Sequence, residues 1–137
     1  MASRLNPYIG FNGNAREALE FYKEVFGGEL NLSTYGEFGQ ADTPEADKIM
    51  HGNLTSSNDF TLMAADNPPG QPYTAGDNIS VSLSGDDADE LRGYWQKLSD
   101  GGNVSVPLEK QMWGDEFGMC TDKFGIGWMV NIAGAPA

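Results

Sequence analysis

The sequence predicts an α+β fold in which one βαβββ unit occurs twice along a chain of 137 residues. Three observations support this prediction. Two segments have the apolar spacing of amphipathic helices, a short strand pattern precedes each of them, and three further strand patterns follow each of them. A duplicated unit of this kind forms mixed sheets with the helices on one side.

Glycine residues mark the same points of both halves. Gly13 and Gly85 precede the two helices and lie 72 residues apart, whereas the glycine pairs that follow the helices, Gly27-Gly28 and Gly101-Gly102, lie 74 residues apart. This offset predicts two additional residues around the second helix. We expect one domain over residues 1–137, with module 1 at residues 5–67, a linker at residues 68–76 and module 2 at residues 77–133.

The two helices are predicted from apolar residues at three- and four-residue steps. Asn14 is the expected N-cap of the first helix, and Asp86 or Asp87 that of the second, because their side-chain oxygens accept free backbone N–H groups. The glycine pairs are expected to close the last turns. The apolar positions are Ala15, Ala18, Leu19, Tyr22, Val25 and Phe26, then Ala88, Leu91, Trp95 and Leu98.

Eight strands are predicted between turn-forming residues. The first strand of module 1 contains Ile9 and Phe11. In the first strand of module 2, Ile79, Val81 and Leu83 are expected to face the helix, and Asn78, Ser80 and Ser82 the opposite side. That open, polar side fits either a wet cavity or an ordinary solvent-facing sheet. The remaining strands are predicted at residues 29–35, 49–56, 60–65, 104–111, 117–121 and 127–132.

The charge balance excludes two classes of partner. The chain has 8 Lys and Arg against 20 Asp and Glu, a formal charge of −12, and no basic run. A phosphate backbone or an anionic membrane surface would be repelled. A single cysteine and the lack of an apolar leader in residues 1–10 lead us to expect a cytoplasmic protein.

Several sequence motifs, together with the duplicated unit, resemble one known superfamily. They are residues 5–22 (LNPYIGFNGNAREALEFY), 25–28 (VFGG), 50–54 (MHGNL), 62–66 (LMAAD), 113–115 (WGD) and 122–128 (DKFGIGW). The chain resembles the vicinal oxygen chelate superfamily of glyoxalases, extradiol dioxygenases and bleomycin resistance proteins, and within it the PhnB-like branch. The resemblance covers nearly the whole chain.

The resemblance implies a cup-shaped mixed sheet with helices outside, a small-molecule ligand inside the cup, and a homodimer. Some members of the branch carry the label of a 3-demethylubiquinone-9 3-methyltransferase. The sequence has no motif that resembles a binding loop for S-adenosylmethionine, so we do not expect that activity.

The resemblance also implies where a metal would bind. The metal enzymes of the superfamily use one position in the first strand and one in the last strand of each module, and the repeat places these at Asn6, Asn78, Met63 and Met129. Amides and thioethers are poor ligands for hard divalent ions. His51 is the only histidine, so no site with two histidines can form. We therefore expect no catalytic metal and no other cofactor.

His51 is the leading functional candidate, because imidazole is the one side chain that ordinarily titrates near neutral pH. It is either an acid–base or hydrogen-bonding group in the cup or a hydrogen-bonded structural residue. We expect it to share its face with Ile49, Asn53 and Thr55. Trp113 either stacks on a planar ligand beside Asp115 or closes the end of the cup.

Three other residues have structural interpretations that compete with functional ones. Asp66 is expected to cap a turn, and as a general base it lacks an evident partner. Cys120 has no basic neighbour in sequence that would activate its thiolate, which favours a buried thiol. Trp128 packs either in the core or on the cavity wall.

We expect a metal-independent protein that binds a small molecule in the cup. The alternative is a glyoxalase-like lyase or isomerase, or another enzyme of the superfamily, that acts through His51. A role without a ligand, with the cup filled by side chains, also stays open. The expected ligand contacts are Tyr8, His51, Met63, Asn78, Trp113 and Met129.

Overall fold

The computed structural model describes residues 3–39, 42–68 and 70–134. The predicted βαβββ order occurs twice in these ranges, which confirms the α+β fold class. Residues 40 and 41 of module 1 and residue 69 of the linker lie outside the described ranges. The elements are β1 (Tyr8–Phe11), α1 (Ala15–Phe26), β2 (Glu29–Thr34), a short 3-10 helix (Gly36–Phe38), β3 (Ile49–Thr55), β4 (Thr61–Asp66), β5 (Ser80–Gly85), α2 (Ala88–Ser99), β6 (Asn103–Lys110), β7 (Glu116–Thr121) and β8 (Gly127–Ile132).

The chain divides into two compact units, Met1–Ala75 and Gly76–Ala137, which we call unit 1 and unit 2. Unit 1 contains a four-stranded sheet of order β1-β4-β3-β2, and unit 2 contains one of order β5-β8-β7-β6. The β1–β4 and β5–β8 pairs are parallel and the others antiparallel, so both sheets are mixed. The division falls inside the predicted linker, and the single domain over residues 1–137 stays a prediction.

The strand pairing shows which residues of the two units correspond. Met63 of β4 pairs with Tyr8, and Met129 of β8 pairs with Ser82. Each methionine lies three places into its strand and also pairs with the third strand of its unit. Tyr8 of unit 1 therefore corresponds to Ser82 of unit 2, an offset of 74 residues.

The predicted correspondence of Gly13 with Gly85 is wrong by two residues. Gly85 corresponds to Phe11, because each of these carbonyls accepts a hydrogen bond from the residue that follows the last strand. The donors are Asn67, at 2.6 Å from Phe11, and Ala133, at 2.7 Å from Gly85. Gly85 is the last residue of β5, whereas Gly13 lies two residues beyond the end of β1. The hydrogen bonds mark where the strands end, and the glycines do not.

The two helices have the same length, 12 residues each, so the two extra residues predicted around α2 do not occur there. Unit 1 is instead longer between its second and third strands, where it contains the 3-10 helix. Neither α1 nor α2, the helices of the described part, is long and apolar enough to cross a membrane.

One face of each sheet packs on the helix of its unit. Ile79 does not take part: it is 82% exposed and precedes β5, which begins at Ser80. The prediction that it faces the helix is wrong because the strand starts at Ser80, two residues later than the alternation from Asn78 suggested. The most deeply buried large side chains are Phe11, Leu19, Tyr22, Ile49, Leu54, Leu98, Trp128 and Val130.

The third strand of each unit passes beneath its helix at a glycine. A Cβ atom added at Gly52 would collide with the side chain of Leu19 in α1. One added at Gly118 would lie 2.8 Å from the Trp95 ring of α2. The two glycines occupy the same register position in their sheets. The absence of a side chain there lets each helix approach its sheet closely.

Replacing Gly52 by alanine is expected to lower the free energy of unfolding by about 1–3 kcal/mol, because the new methyl group overpacks a site whose neighbour Leu19 is fully buried. Gly10→Ala is the matched control, since a Cβ there meets no atom within 4 Å. It should change the free energy by less than about 0.5 kcal/mol. Urea unfolding measures both, and equal midpoints would contradict the packing argument.

Candidate functional site

The face of the first sheet that points away from α1 carries partly exposed, mostly polar side chains. Tyr8 pairs with Met63, Met63 with Asn53, and Asn53 with Asn31, which makes one row across all four strands. The residues that alternate with this row, such as Leu54, are buried. We call this surface the open face of unit 1; its residues are Asn6, Tyr8, Glu29, Asn31, Ser33, His51, Asn53, Thr55, Thr61 and Met63.

His51 is half-buried on the open face of unit 1. Its ring centroid lies 5.9 Å from that of Tyr8, with the ring planes tilted by 36°. Across the sheet it pairs with Ser33. Within residues 3–39, 42–68 and 70–134 its imidazole makes no hydrogen bond. No group in these ranges therefore occupies either ring nitrogen.

Ile49 does not share the face of His51, contrary to the expectation from strand alternation. The register between β2 and β3 shifts, so that His51 pairs with Ser33 but Ile49 pairs with Thr34, and Met50 is left as an extra residue. Such a bulge turns the following side chains to the other face. Ile49 is fully buried, and no local sequence pattern indicated the bulge.

Asp66 is a buried structural carboxylate at the end of β4, 3% exposed. Its Oδ1 accepts hydrogen bonds from the backbone N–H groups of Gly13 (2.9 Å) and Ala15 (3.0 Å). Its Oδ2 accepts one from Ile49 at 2.8 Å. Asp66 thus caps α1, whereas the predicted cap, Asn14, makes no side-chain capping bond. Three backbone donors occupy this carboxylate, which leaves it no evident role as a general base.

The second sheet has an open face of its own. Ser82 pairs with Met129, and Met129 with Met119, so a serine and two methionines form its central row. The alternating residues Trp128 and Val130 are buried. We call this surface the open face of unit 2; its residues are Ser80, Ser82, Ser84, Phe117, Met119, Met129 and Asn131.

Trp113 and Asp115 lie in the turn before β7, next to the open face of unit 2. The Trp113 ring is 63% exposed and meets Phe117 edge-on, with centroids 6.2 Å apart. The Asp115 carboxylate accepts hydrogen bonds from the Asn131 amide (3.0 Å) and the Gly134 N–H (2.8 Å). These bonds, that of Asn131 first, lower the pKa of Asp115, so this carboxylate is ionised at neutral pH.

The metal positions implied by the resemblance need one correction. Asn78 is exposed and precedes β5, and the residue that corresponds to Asn6 is Ser80, because Tyr8 corresponds to Ser82. The four positions therefore offer an amide, a hydroxyl and two thioethers. This set does not fit a hard divalent ion. In the described ranges, no three His, Cys, Asp or Glu side chains come together as a metal site would require.

The structure groups some of the predicted ligand contacts and separates others. Tyr8, His51 and Met63 lie together on the open face of unit 1. Met129 lies on the open face of unit 2, and Trp113 lies in the turn beside that face. Asn78 lies apart from both, in the segment before β5.

A cavity at one end of the open face of unit 1 was not predicted. It is open to solvent and has a volume of about 540 Å³. Its walls come from the segment before β1, the end of β3, the start of β4 and the hairpin between them. No local pattern unites such distant segments. The lining residues are Arg4, Leu5, Asn6, Thr55, Asp59 and Thr61.

Cys120 and Trp128 belong to the core of unit 2. The Trp128 indole N–H donates to the Asp122 carboxylate at 2.8 Å, and the ring is 1% exposed. Burial, with a smaller contribution from Asp122, raises the pKa of the Cys120 thiol to about 11. The thiol is therefore protonated and inert at neutral pH.

The two units define a class of protein: a duplicated βαβββ chain in which each sheet has one face on a helix and one open face. The family model of the Glyoxalase/Bleomycin resistance protein/Dioxygenase superfamily matches residues 4–130. The chain belongs to this superfamily, which confirms the assignment made from its sequence motifs.

Three similar proteins cover nearly the whole chain. The crystal structure of protein PA1353 from Pseudomonas aeruginosa is 40% identical, with a TM-score of 0.81 over 96% of this chain and 98% of that one. Protein YjdN of Escherichia coli K12 is 26% identical over 93% of this chain and 94% of its own. A PhnB protein from Bacillus cereus is 23% identical, with a TM-score of 0.77 over 96% and 100%, and shares the fold.

Replacing Asp66 by alanine is expected to lower the free energy of unfolding by about 2–4 kcal/mol, since it removes a helix cap and leaves the buried Ile49 N–H without an acceptor. Asn14→Ala removes a polar side chain at the same helix end that makes no capping bond, and should cost less than about 0.5 kcal/mol. Urea denaturation of the two variants compares them, and a larger loss from Asn14 would overturn the assignment.

The Cys120 thiol is expected to resist alkylation in the folded protein. Because the thiol is 3% exposed and has a raised pKa, it should react with iodoacetamide at pH 7.5 only after the protein unfolds. Mass spectrometry of samples treated with and without 8 M urea measures this. Labelling in native buffer at the rate seen in urea would show that the thiol is accessible.

Proposed function

We propose that this chain is a PhnB-like protein that binds a small molecule in the cup implied by its superfamily, with the open face of unit 1 as part of the wall, and needs no catalytic metal. One observation carries the proposal. His51 is a half-buried imidazole without a hydrogen bond in the described ranges, and it lies beside the exposed ring of Tyr8 on a polar sheet face.

The composition of the open face of unit 1 supports small-molecule binding. Ligand sites combine apolar wall with a few polar groups that orient the ligand. Tyr8 and Met63 supply apolar surface next to one another in the register, while Asn53 and His51 supply hydrogen-bonding groups. The opposite face is filled by α1, so a ligand has access to this side of the sheet alone.

The donor set supports a mechanism without a metal. The positions at which the metal enzymes of the superfamily bind their ions correspond to Asn6, Met63, Ser80 and Met129, none of which is a carboxylate or an imidazole. Recognition then rests on hydrogen bonds and apolar contact. We also propose, from the resemblance, that the protein is a cytoplasmic homodimer, and its charge of −12 disfavours nucleic acids and anionic membranes as partners.

A second candidate function is an enzyme that acts through His51, such as a glyoxalase-like lyase or isomerase. The imidazole of His51 favours it, because it makes no hydrogen bond to the residues that the structure describes and a general acid or base must be free to contact substrate. Turnover of a bound compound by the wild type, lost in His51→Gln, would identify this function. Binding without turnover supports the first.

A thermal-shift screen of metabolites, run in parallel with EDTA and with Mg²⁺, Mn²⁺, Zn²⁺ or Fe²⁺, tests the proposal. We expect a metabolite to raise the Tm equally with and without EDTA, since a ligand at a hundred times its Kd adds about 2.7 kcal/mol to the free energy of unfolding. His51→Gln should weaken that ligand at least tenfold, whereas Gln96→Ala on the exposed side of α2 should not.

Two results count against the proposal. One bound divalent ion per chain after gentle purification, with ligand binding lost on its removal, would contradict metal independence. A metabolite whose binding is unchanged in His51→Gln would move the site away from the open face of unit 1.

A further inference from the structure

The cavity of unit 1 contains two opposite charges that are not paired with each other. Arg4 supplies a guanidinium and Asp59 a carboxylate, and both side chains line the same space of about 540 Å³. Within residues 3–39, 42–68 and 70–134, neither side chain takes part in an ion pair or a hydrogen bond. Each charge is therefore available to a bound molecule.

Neutral hydrogen-bonding groups line the same cavity as these charges. Thr55 and Thr61 are paired across β3 and β4, and Asn6 lies just before β1. The Thr55 hydroxyl already accepts a hydrogen bond from the Asn53 amide at 3.3 Å, which leaves its proton to donate. The cavity thus offers donors and acceptors as well as the two charges.

The hairpin between β3 and β4 positions the negative charge. Asp59 has a φ of 63°, in the left-handed region, where Gly125 of the corresponding β7–β8 hairpin has a φ of 89°. The two hairpins share their backbone bonds: Asp59 donates to Ser56 at 3.0 Å, and Gly125 donates to Asp122 at 2.9 Å. Unit 1 therefore has a charged side chain where the equivalent hairpin has none.

We propose that this cavity binds a zwitterionic small molecule of the aminocarboxylate class, its carboxylate on Arg4 and its ammonium group on Asp59. The inference rests on the proposed small-molecule binding and specifies the ligand class. A guanidinium holds a carboxylate through two parallel hydrogen bonds, and the hydroxyls of Thr55 and Thr61 complete the solvation of the bound molecule.

The surrounding charges favour a zwitterion over a simple anion. Glu29 pairs with Thr55 on the same open face, so a second carboxylate lies next to the cavity. Together with a net charge of −12, this disfavours dicarboxylates and phosphates. A simple amine would pair with the Asp59 carboxylate but would leave the Arg4 guanidinium without a counter-charge.

Isothermal titration calorimetry with glycine, 4-aminobutyrate and 6-aminohexanoate tests the proposal, and butyrate and butylamine serve as probes with a single charge. We expect at least one aminocarboxylate to bind tenfold or more tightly than either singly charged probe. Its affinity should fall at least tenfold in Arg4→Gln and in Asp59→Asn. Asparagine tolerates left-handed φ values well, so the second variant preserves the hairpin.

Matched controls are Arg16→Gln and Asp77→Asn, which remove the same charges outside the cavity and should leave the affinity within twofold. Equal binding of butyrate or butylamine, no binding of any aminocarboxylate at 10 mM, or insensitivity to both cavity variants would overturn the inference. The proposed function survives such a failure if the metabolite screen yields a ligand that depends on His51, and it fails as well if that screen yields none.

Discussion

The arrangement of α1, β3 and β4 in unit 1 depends on one buried carboxylate, that of Asp66. Asp66 accepts backbone hydrogen bonds from the turn before α1, from the first residue of α1 and from the first residue of β3, while its own carbonyl accepts the Tyr35 hydroxyl at 2.9 Å. Buried N–H groups cannot exchange a lost acceptor for water without a large cost. Because β3 starts at this anchor, Asp66 also determines where His51, two residues beyond Ile49, comes to lie. A side chain on the helix face of the sheet thus positions the leading functional candidate on the opposite face.

Unit 2 repeats the fold but not this anchor. Its helix is capped locally, by the Asp87 side chain, and the residue that corresponds to Asp66 is Ile132, a buried apolar side chain. The buried carboxylate of unit 2 lies instead in the β7–β8 hairpin, where Asp122 accepts two backbone N–H groups and the Trp128 indole. Ser56 makes the two backbone bonds in the equivalent hairpin of unit 1. The shared fold therefore tolerates different placements of its buried polar groups, provided that each hydrogen bond is made.

The sequence predicted the features that depend on neighbouring residues and missed those that depend on residues far apart in the chain. Apolar periodicity and turn residues located both helices and all eight strands, because these signals lie within a few residues of one another. The cap of α1 was missed because its oxygen lies 51 residues from the N–H of Ala15. The bulge at Met50 was missed because it appears in the pairing of two strands and in neither strand alone. The cavity of unit 1 was missed for the same reason, since Arg4 and Asp59 come to line one space through the fold and not through any motif.

The two open faces present different chemistry. Amides, hydroxyls and an imidazole surround Tyr8 and Met63 in unit 1, whereas one serine and two methionines form the central row of the face in unit 2. The 20 carboxylates do not gather into a metal site in the described ranges, and those of Asp66 and Asp122 are occupied by the protein itself. With the thioethers of Met63 and Met129 in the central rows of the two sheets, the centre of each face can offer contact but little charge. In unit 1, His51 lies on one side of the central row, and the cavity with its two charges lies on the other. A molecule with polar ends and a less polar middle matches that arrangement better than a compact, highly charged one.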